Sequence, residues 1–196
     1  MNPARYWFLT ALIVLAAVSR IVPHPLNFAP FAAIALFGAA TFPSRWSAVV
    51  VTYASLLLGD CLLQGTFLAG WQPYRGFYSG QWVIYACLIP SILLGLAIRG
   101  RRSFATVASA TLAGSVFFFV VTNFAVWADG LGGLYPKTYQ GLLLCYEAAI
   151  PFFRNTVAGD AFYATALFGG LALAEATFPA LRTAKPVPTL TVQEVA

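Results

Sequence analysis

The residues able to do chemistry are few. The chain holds six acids, eleven Lys and Arg residues and one histidine. Those in or beside apolar runs are His24, Asp60, Glu147, Arg154 and Asp160, accompanied by the amides Asn27, Asn123 and Asn155. A charged group at the centre of a membrane helix costs about 2.5–3.5 kcal/mol on insertion scales, so it faces a partner or a water-filled cavity. The chemistry these residue types point to is therefore recognition of a polar solute. A single histidine leaves no bis-His haem or multi-His metal site. Cys61, Cys87 and Cys145 stand alone in apolar runs, read as small buried thiols; no Cys-x-x-Cys is present, and an odd count gives no disulfide framework. There is no G-x-x-x-x-G-K-[ST] loop, so ATP hydrolysis by that route is excluded. No nucleophile–base–acid set presents itself, and His24 near an acid is the one arrangement suggesting proton transfer. The expectation is a protein that is not an enzyme, with no cofactor and no metal.

The elements that must position these groups follow from composition. The 196 residues are 60% apolar and only 9% charged, with a mean hydropathy of +0.79. Soluble domains carry about 25% charged residues. A third of that cannot cover a surface with water-compatible side chains, which excludes a cytosolic enzyme, a nucleic-acid reader and a disordered chain. The bilayer itself becomes the first partner. A helix needs about 20 apolar residues to cross about 30 Å of hydrocarbon. Spans are expected near 6–21, 28–43, 46–64, 81–98, 104–127 and 155–178. The stretch 138–153 is short and interrupted by Glu147, and reads as re-entrant or interfacial. Alternating barrel patterning is absent, since Phe117–Val121 is apolar on every side. The fold class is all-α: an integral membrane six-helix bundle with one short re-entrant or interfacial helix. Residues 1–178 form a single transmembrane domain and 179–196, with Pro179, Pro186 and Pro188, a mobile cytoplasmic tail. The N-terminus carries signal-peptide features (Arg5, apolar Tyr6–Val18, the triplet Ala17-Val18-Ser19) but is expected to be retained as the first span.

Orientation follows from the basic residues. With both termini cytoplasmic, Arg5, Arg45, Arg99, Arg101, Arg102, Arg182 and Lys185 lie inside, and Arg20, Arg75, Lys137 and Arg154 outside. If 138–153 crosses instead, the bias shrinks to six against five. The preferred arrangement puts His24, Asn27, Asp60, Asn123, Glu147, Arg154, Asn155 and Asp160 all toward the outer face. A common depth suggests one outward-facing site. The competing reading is structural: Arg154 with Asp160 or Glu147 as an ion pair, Asp60 paired with Arg20, Asn27 as a helix cap.

The loop 65–80 carries Trp71 and Tyr74 among four glycines, and the later outer loop adds Trp127 and Tyr135. An interfacial aromatic belt explains both loops. As a lid, the same residues would cover a flat, ring-containing ligand. Ala35 and Ala39 form a small-xxx-small pair suited to close helix packing, within the chain or against a partner. Two dipeptides recur, Asn27-Phe28 as Asn123-Phe124 and Gly59-Asp60 as Gly159-Asp160, but at opposite ends of their spans, so no internal repeat is read from them.

The stretch Arg20-Ile-Val-Pro23-His24-Pro25-Leu-Asn27-Phe28-Ala-Pro30, running on to Ala35-Leu36-Phe37-Gly38, resembles the hallmark of an uncharacterised family of small bacterial polytopic membrane proteins. So do Thr122–Trp127, Leu134–Thr138 and Pro151–Asp160. The general plan is similar to the S components of energy-coupling-factor (ECF) transporters. That similarity implies a six-helix protein of the bacterial inner membrane which binds a vitamin-like solute at its outer face. It also implies partners, a transmembrane coupling subunit and separate ATPases. Those S components carry their small-residue docking motif in the first helix, whereas here Ala35 and Ala39 fall in the second span. The expected function is substrate capture, with Asp60, Asn123, Arg154, Asn155 and Asp160 as polar contacts. Glu147, His24 and Asn27 would shape the mouth, and Trp71, Tyr74, Trp127 and Tyr135 would cover the ligand. The alternative is a non-catalytic assembly subunit of a larger membrane complex, and a membrane enzyme acting on lipid-linked substrates ranks last.

Overall fold

Three prolines in eight residues (Pro23, Pro25 and Pro30) decide the first departure from a simple row of spans. Proline lacks the amide a helix needs and pushes its predecessor out of the helical region. In the computed structural model, which describes residues 1–129 and 133–182, helix α1 (Pro3–Val18) ends in a 3₁₀ turn, Ser19–Ile21. Helix α2 then starts only at Phe31 and runs to Thr41. Its eleven residues cover roughly 16 Å at 1.5 Å each, half the hydrocarbon thickness, so 28–43 is not the full-length span expected. Asn27 takes a left-handed φ of 63° in the intervening loop, a conformation Asn tolerates better than most residues.

The remaining elements are α3 (Arg45–Leu68), α4 (Gln81–Ala86), α5 (Leu88–Ala97), α6 (Phe104–Asp129), α7 (Tyr139–Ala164) and α8 (Gly170–Thr177). No strand occurs among the described residues. Four rods are long and apolar enough to cross a membrane: Pro3–Ile21, Arg45–Leu68, Phe104–Asp129 and Tyr139–Thr177. Phe31–Thr41 and Gln81–Ala97 are shorter apolar helices.

The separate re-entrant helix expected over 138–153 is not present. α7 runs through Pro151, and a π-helical turn at Thr165–Gly169 joins it to α8 as one 39-residue rod. An internal proline removes a single backbone hydrogen bond, which a long helix tolerates. Glu147 and Arg154, seven residues apart, fall on one exposed face and so do not interrupt the packing side.

α2 is enclosed on all sides. Every residue from Ala32 to Thr41 is buried, and the helix packs against α1, α3, α5, α6 and α7. Ala35 and Ala39 are both fully buried, and Gly95 of α5 sits directly against Ala39 and the Leu36 carbonyl. The small-residue pair is thus an internal seam and not a surface free for a partner. Phe37, Phe42, Leu9, Ile13, Leu56 and Leu171 fill the core around it. Cys87 and Cys145 are buried thiols, but Cys61 is exposed on α3, against expectation.

One end of the bundle is basic. Arg5 at the start of α1 bonds Glu175 of α8 at 2.5 Å and also the Leu181 carbonyl, while Asn2 donates to Ala180 O at 3.2 Å. Arg182 donates back to Glu175 O and Ala176 O. Residues 179–182 are thus held against α1 and α8, and Lys185, Pro186 and Pro188 of the expected tail lie outside the described residues. At the same end Arg99 donates to the carbonyls of Ala39 and Pro43. The N-terminus and residue 182 thus share one end of the bundle.

Candidate functional site

Deeper in the bundle, away from the basic end, lie two buried carboxylates, each preceded by glycine. Asp60 on α3 and Asp160 on α7 are 1% and 2% exposed. The glycines matter because each lets backbone come close: a Cβ on Gly59 would lie 2.9 Å from Ala17 O of α1, and one on Gly159 would lie 3.0 Å from Ala29 N of the proline loop.

Asp60 is fully occupied. Its Oδ1 accepts from Arg20 Nη1 at 2.6 Å, and its Oδ2 accepts from Gln81 Nε2 at 2.6 Å and from the Tyr85 hydroxyl. Arg20 also stacks over the Phe31 ring at 4.4 Å. This knot ties α1, α2, α3 and α4 together. A buried pair costs several kcal/mol per ion to desolvate, and close geometry with extra hydrogen bonds offsets that cost. The pairing of Asp60 with Arg20, one of the two readings of the sequence, is what the structure contains.

Asp160 is different. Ser115 of α6 donates its hydroxyl to Asp160 Oδ2 at 2.7 Å, yet no cation reaches Asp160 among the described residues. Its neighbours dock the proline loop: Asn155 Nδ2 donates to Leu26 O at 2.9 Å, and Phe28 rests against Gly159 and the rings of Phe162 and Tyr163. The motifs Pro23-His24-Pro25-Leu-Asn27-Phe28 and Arg154-Asn155-Thr-Val-Ala-Gly159-Asp160 are thereby brought into contact across the fold.

Between them opens a cavity of about 540 Å³. Asp160 and Thr156 of α7 line it with Phe118 of α6, Phe31 of α2 and Arg20; its mouth is formed by His24, Pro25 and Asn27 on one side and Tyr74, Arg75 and Tyr78 on the other. The loop carrying the tyrosines is tied to the end of α3. Gln64 Oε1 accepts from the amides of Gly76 and Phe77, and Gln72 Nε2 donates to Leu63 O. Burial first, and then the Asp60 charge, push the Tyr78 phenol above its usual range, with Arg20 opposing; it stays protonated and presents an O–H. His24 donates its Nδ1–H to Val22 O, 2.6 Å away, which leaves Nε2 for a ligand.

Of the residues singled out in the sequence, His24, Asn27, Tyr74 and Asp160 line this cavity, and Asp60 stands behind its Arg20 wall. Asn155 acts on the loop from outside. The others lie elsewhere. Asn123 donates to Phe119 O of its own helix, because an amide inside a helix finds the i−4 carbonyl nearest. Trp127 donates to Pro136 O, bracing the outer turn. Glu147 and Arg154 are exposed, Trp71 is 81% exposed, and Tyr135 is half-buried; none of the four lines the cavity. The ion pair of Arg154 with Asp160 or Glu147 that the structural reading offered is not found among the described residues, where Arg154 is exposed and Asp160 buried. Arg75 and Tyr78, from the aromatic loop 65–80, also line it, whereas Phe31, Phe118 and Thr156 are lining residues that the sequence did not mark, as aromatics and a threonine in apolar runs look like core.

The fold and site define a protein that is all-helical over its described residues, with four helices long and apolar enough to cross a membrane and a cavity whose mostly apolar walls carry Arg20, His24 and Asp160. A family model described as a family of unknown function (DUF6580) matches residues 1–181, and the chain belongs to that family. No curated protein and no solved structure matches the chain.

Proposed function

We propose that this protein is a six-pass inner-membrane subunit that captures a small solute from the outer side, with both termini in the cytoplasm and without an ATPase of its own. The carrying observation is Asp160: a 2% exposed carboxylate with no cationic partner among the described residues, forming the floor of a 540 Å³ cavity. Ionisable groups held at membrane depth are expensive and mark sites by default. Ligand cavities are commonly about 300–1,000 Å³, mostly apolar with a few convergent polar groups. A solute suited to these walls is ring-shaped and vitamin-like in size. It offers N–H groups or a cationic nitrogen to Asp160, stacks on Tyr74, Tyr78 and Phe31, and places acceptor atoms toward Arg75 and His24. The two short apolar helices would complete six passes: Phe31–Thr41 is enclosed by the bundle, where lipid does not set its length, while Gln81–Ala97 keeps Trp82, Ile89 and Leu93 exposed for lipid. Energy for release inward would come from a separate coupling subunit and ATPases, as in ECF-type systems.

A thermal-unfolding screen of the detergent-solubilised protein against amine- and N–H-bearing ring compounds tests this. A ligand at 100 times its Kd stabilises by about 2.7 kcal/mol, and Asp160→Asn should abolish the shift while the unliganded melting point stays near wild type. A shift equal in both proteins would contradict the assignment.

The second reading, an assembly subunit of a larger membrane complex, draws on Glu147 and Arg154. Both face outward on the same side of α7, where a neighbouring protein would pair them.

A further inference from the structure

A second concavity, of about 440 Å³, lies between α6 and the α7–α8 rod, running from the basic end to Ser115. Its walls are mostly apolar, with Phe104, Val107 and Leu112 on one side and Val157, Ala161 and Phe168 on the other, and only the hydroxyls of Thr111 and Thr165 between its ends. The π-helical turn at Thr165–Gly169 contributes to the second wall, and small residues, Ala108 and Ala164 among them, keep the floor low. From Arg102 to Ser115 the groove follows α6 for roughly 20 Å at 1.5 Å per residue. That is about half of a bilayer of 40–45 Å with its headgroups, the depth of one leaflet.

Charge at the groove's mouth is unbalanced. Glu175 is held by Arg5 at 2.5 Å. Arg102, half-buried beside them, makes no ion pair and no hydrogen bond to a protein group among the described residues. A guanidinium remains charged under any ordinary condition and presents a fork that matches phosphate oxygens. Arg101 is exposed next to it, and α6, 26 residues long, begins here with its positive end toward the same point. Cation at headgroup depth and an apolar channel of leaflet length are the two halves of a site for one kind of molecule.

We propose that this groove is a binding site for a single acyl chain of an anionic phospholipid from the leaflet at the basic end, with its phosphate on Arg102 and the chain lying along α6 as far as Ser115. The site is independent of the solute cavity and does not rest on the capture reading.

The experiment is native mass spectrometry of the full chain reconstituted in nanodiscs of equimolar phosphatidylglycerol and phosphatidylcholine. Wild type should leave the disc holding one phosphatidylglycerol in preference to phosphatidylcholine. Arg102→Ala should reduce that preference about fivefold, the worth of one basic residue near an anionic surface, and Arg102→Lys should keep most of it. Ala108→Trp, at an exposed groove position, should remove the retained lipid altogether. Equal retention of both lipids by wild type, or an unchanged lipid complement in Ala108→Trp and Arg102→Ala, would overturn the proposal. If Ala108→Trp does not fold, the Arg102→Ala and Arg102→Lys pair decides it alone.

Discussion

Ser115 and Asp160 meet at 2.7 Å across the α6–α7 interface, and their hydrogen bond stands between two cavities. Asp160 lines the polar cavity, whereas Ser115 lines the apolar groove on the other side. The hydroxyl is the one protein side chain that donates to this carboxylate among the described residues, and the backbone amide of Ala33 near the start of α2 also faces it.

The first prediction concerns that bond. Ser115→Ala leaves a buried carboxylate short of one donor, a change that costs about 1–3 kcal/mol. Asp160→Asn keeps the shape and replaces a charge by an amide, so folding is preserved and only solute binding is lost. Chemical denaturation of the two variants beside wild type checks the contrast. A larger loss of stability in Asp160→Asn than in Ser115→Ala would show that Asp160 holds the bundle together instead of serving the cavity.

Asp60 should behave in the opposite way. Removing one partner of a buried pair is worth about 3–5 kcal/mol. Arg20→Met and Asp60→Leu are each expected to destabilise by that order, and the double variant by clearly less than the sum. Thermal melts of the three proteins give the coupling. Additive losses would mean that the Arg20–Asp60 contact at 2.6 Å carries no energy of its own.

Three glycines offer a test of sign. Gly59→Ala and Gly159→Ala drive a methyl into backbone at 2.9 and 3.0 Å and should cost about 1–3 kcal/mol each. Gly65→Ala meets nothing within 4 Å on the same helix as Gly59, and should stabilise by up to about 1 kcal/mol through helix propensity. Melting points moving in one common direction would refute the close approaches.

Topology gives a fourth prediction. The Arg5–Glu175 and Arg99–Ala39 contacts put the chain start, residue 101 and residue 182 at one end. Single cysteines at Asn2 and Arg101, in a background lacking Cys61, Cys87 and Cys145, should react with a membrane-impermeant maleimide from the cytoplasmic side. One at Tyr74 should react from the outer side. Labelling of Asn2 and Arg101 from opposite sides would contradict the bundle.

Much of this architecture was legible in the sequence, and the misses have physical reasons. Spans expected at 46–64, 81–98 and 104–127 match α3, the α4–α5 pair and α6 within a few residues, because uninterrupted apolar runs leave little choice. The length of α2 was overestimated because hydropathy does not see that Pro30 fixes the earliest start. The break expected before 155 rests on Glu147 as an interruption, yet Glu147 is exposed on a helix whose packing side is unbroken. Gly59-Asp60 and Gly159-Asp160 were set aside as a repeat for their unequal positions. They nonetheless perform one local job twice, a close backbone approach beside a buried carboxylate. Composition could not reveal that Arg20 would pair with the first carboxylate while, among the described residues, no cation pairs with the second. That difference is a matter of three-dimensional neighbours.

The most direct test of the capture account is native mass spectrometry of the wild-type protein and its Asp160→Asn variant, both gently released from the membranes of the host cell. The account predicts a bound small molecule of one defined mass on wild type and its loss from a folded Asp160→Asn. Wild type that emerges free of any small molecule but in a stable complex with other membrane proteins, or the same bound mass on both proteins, would contradict it.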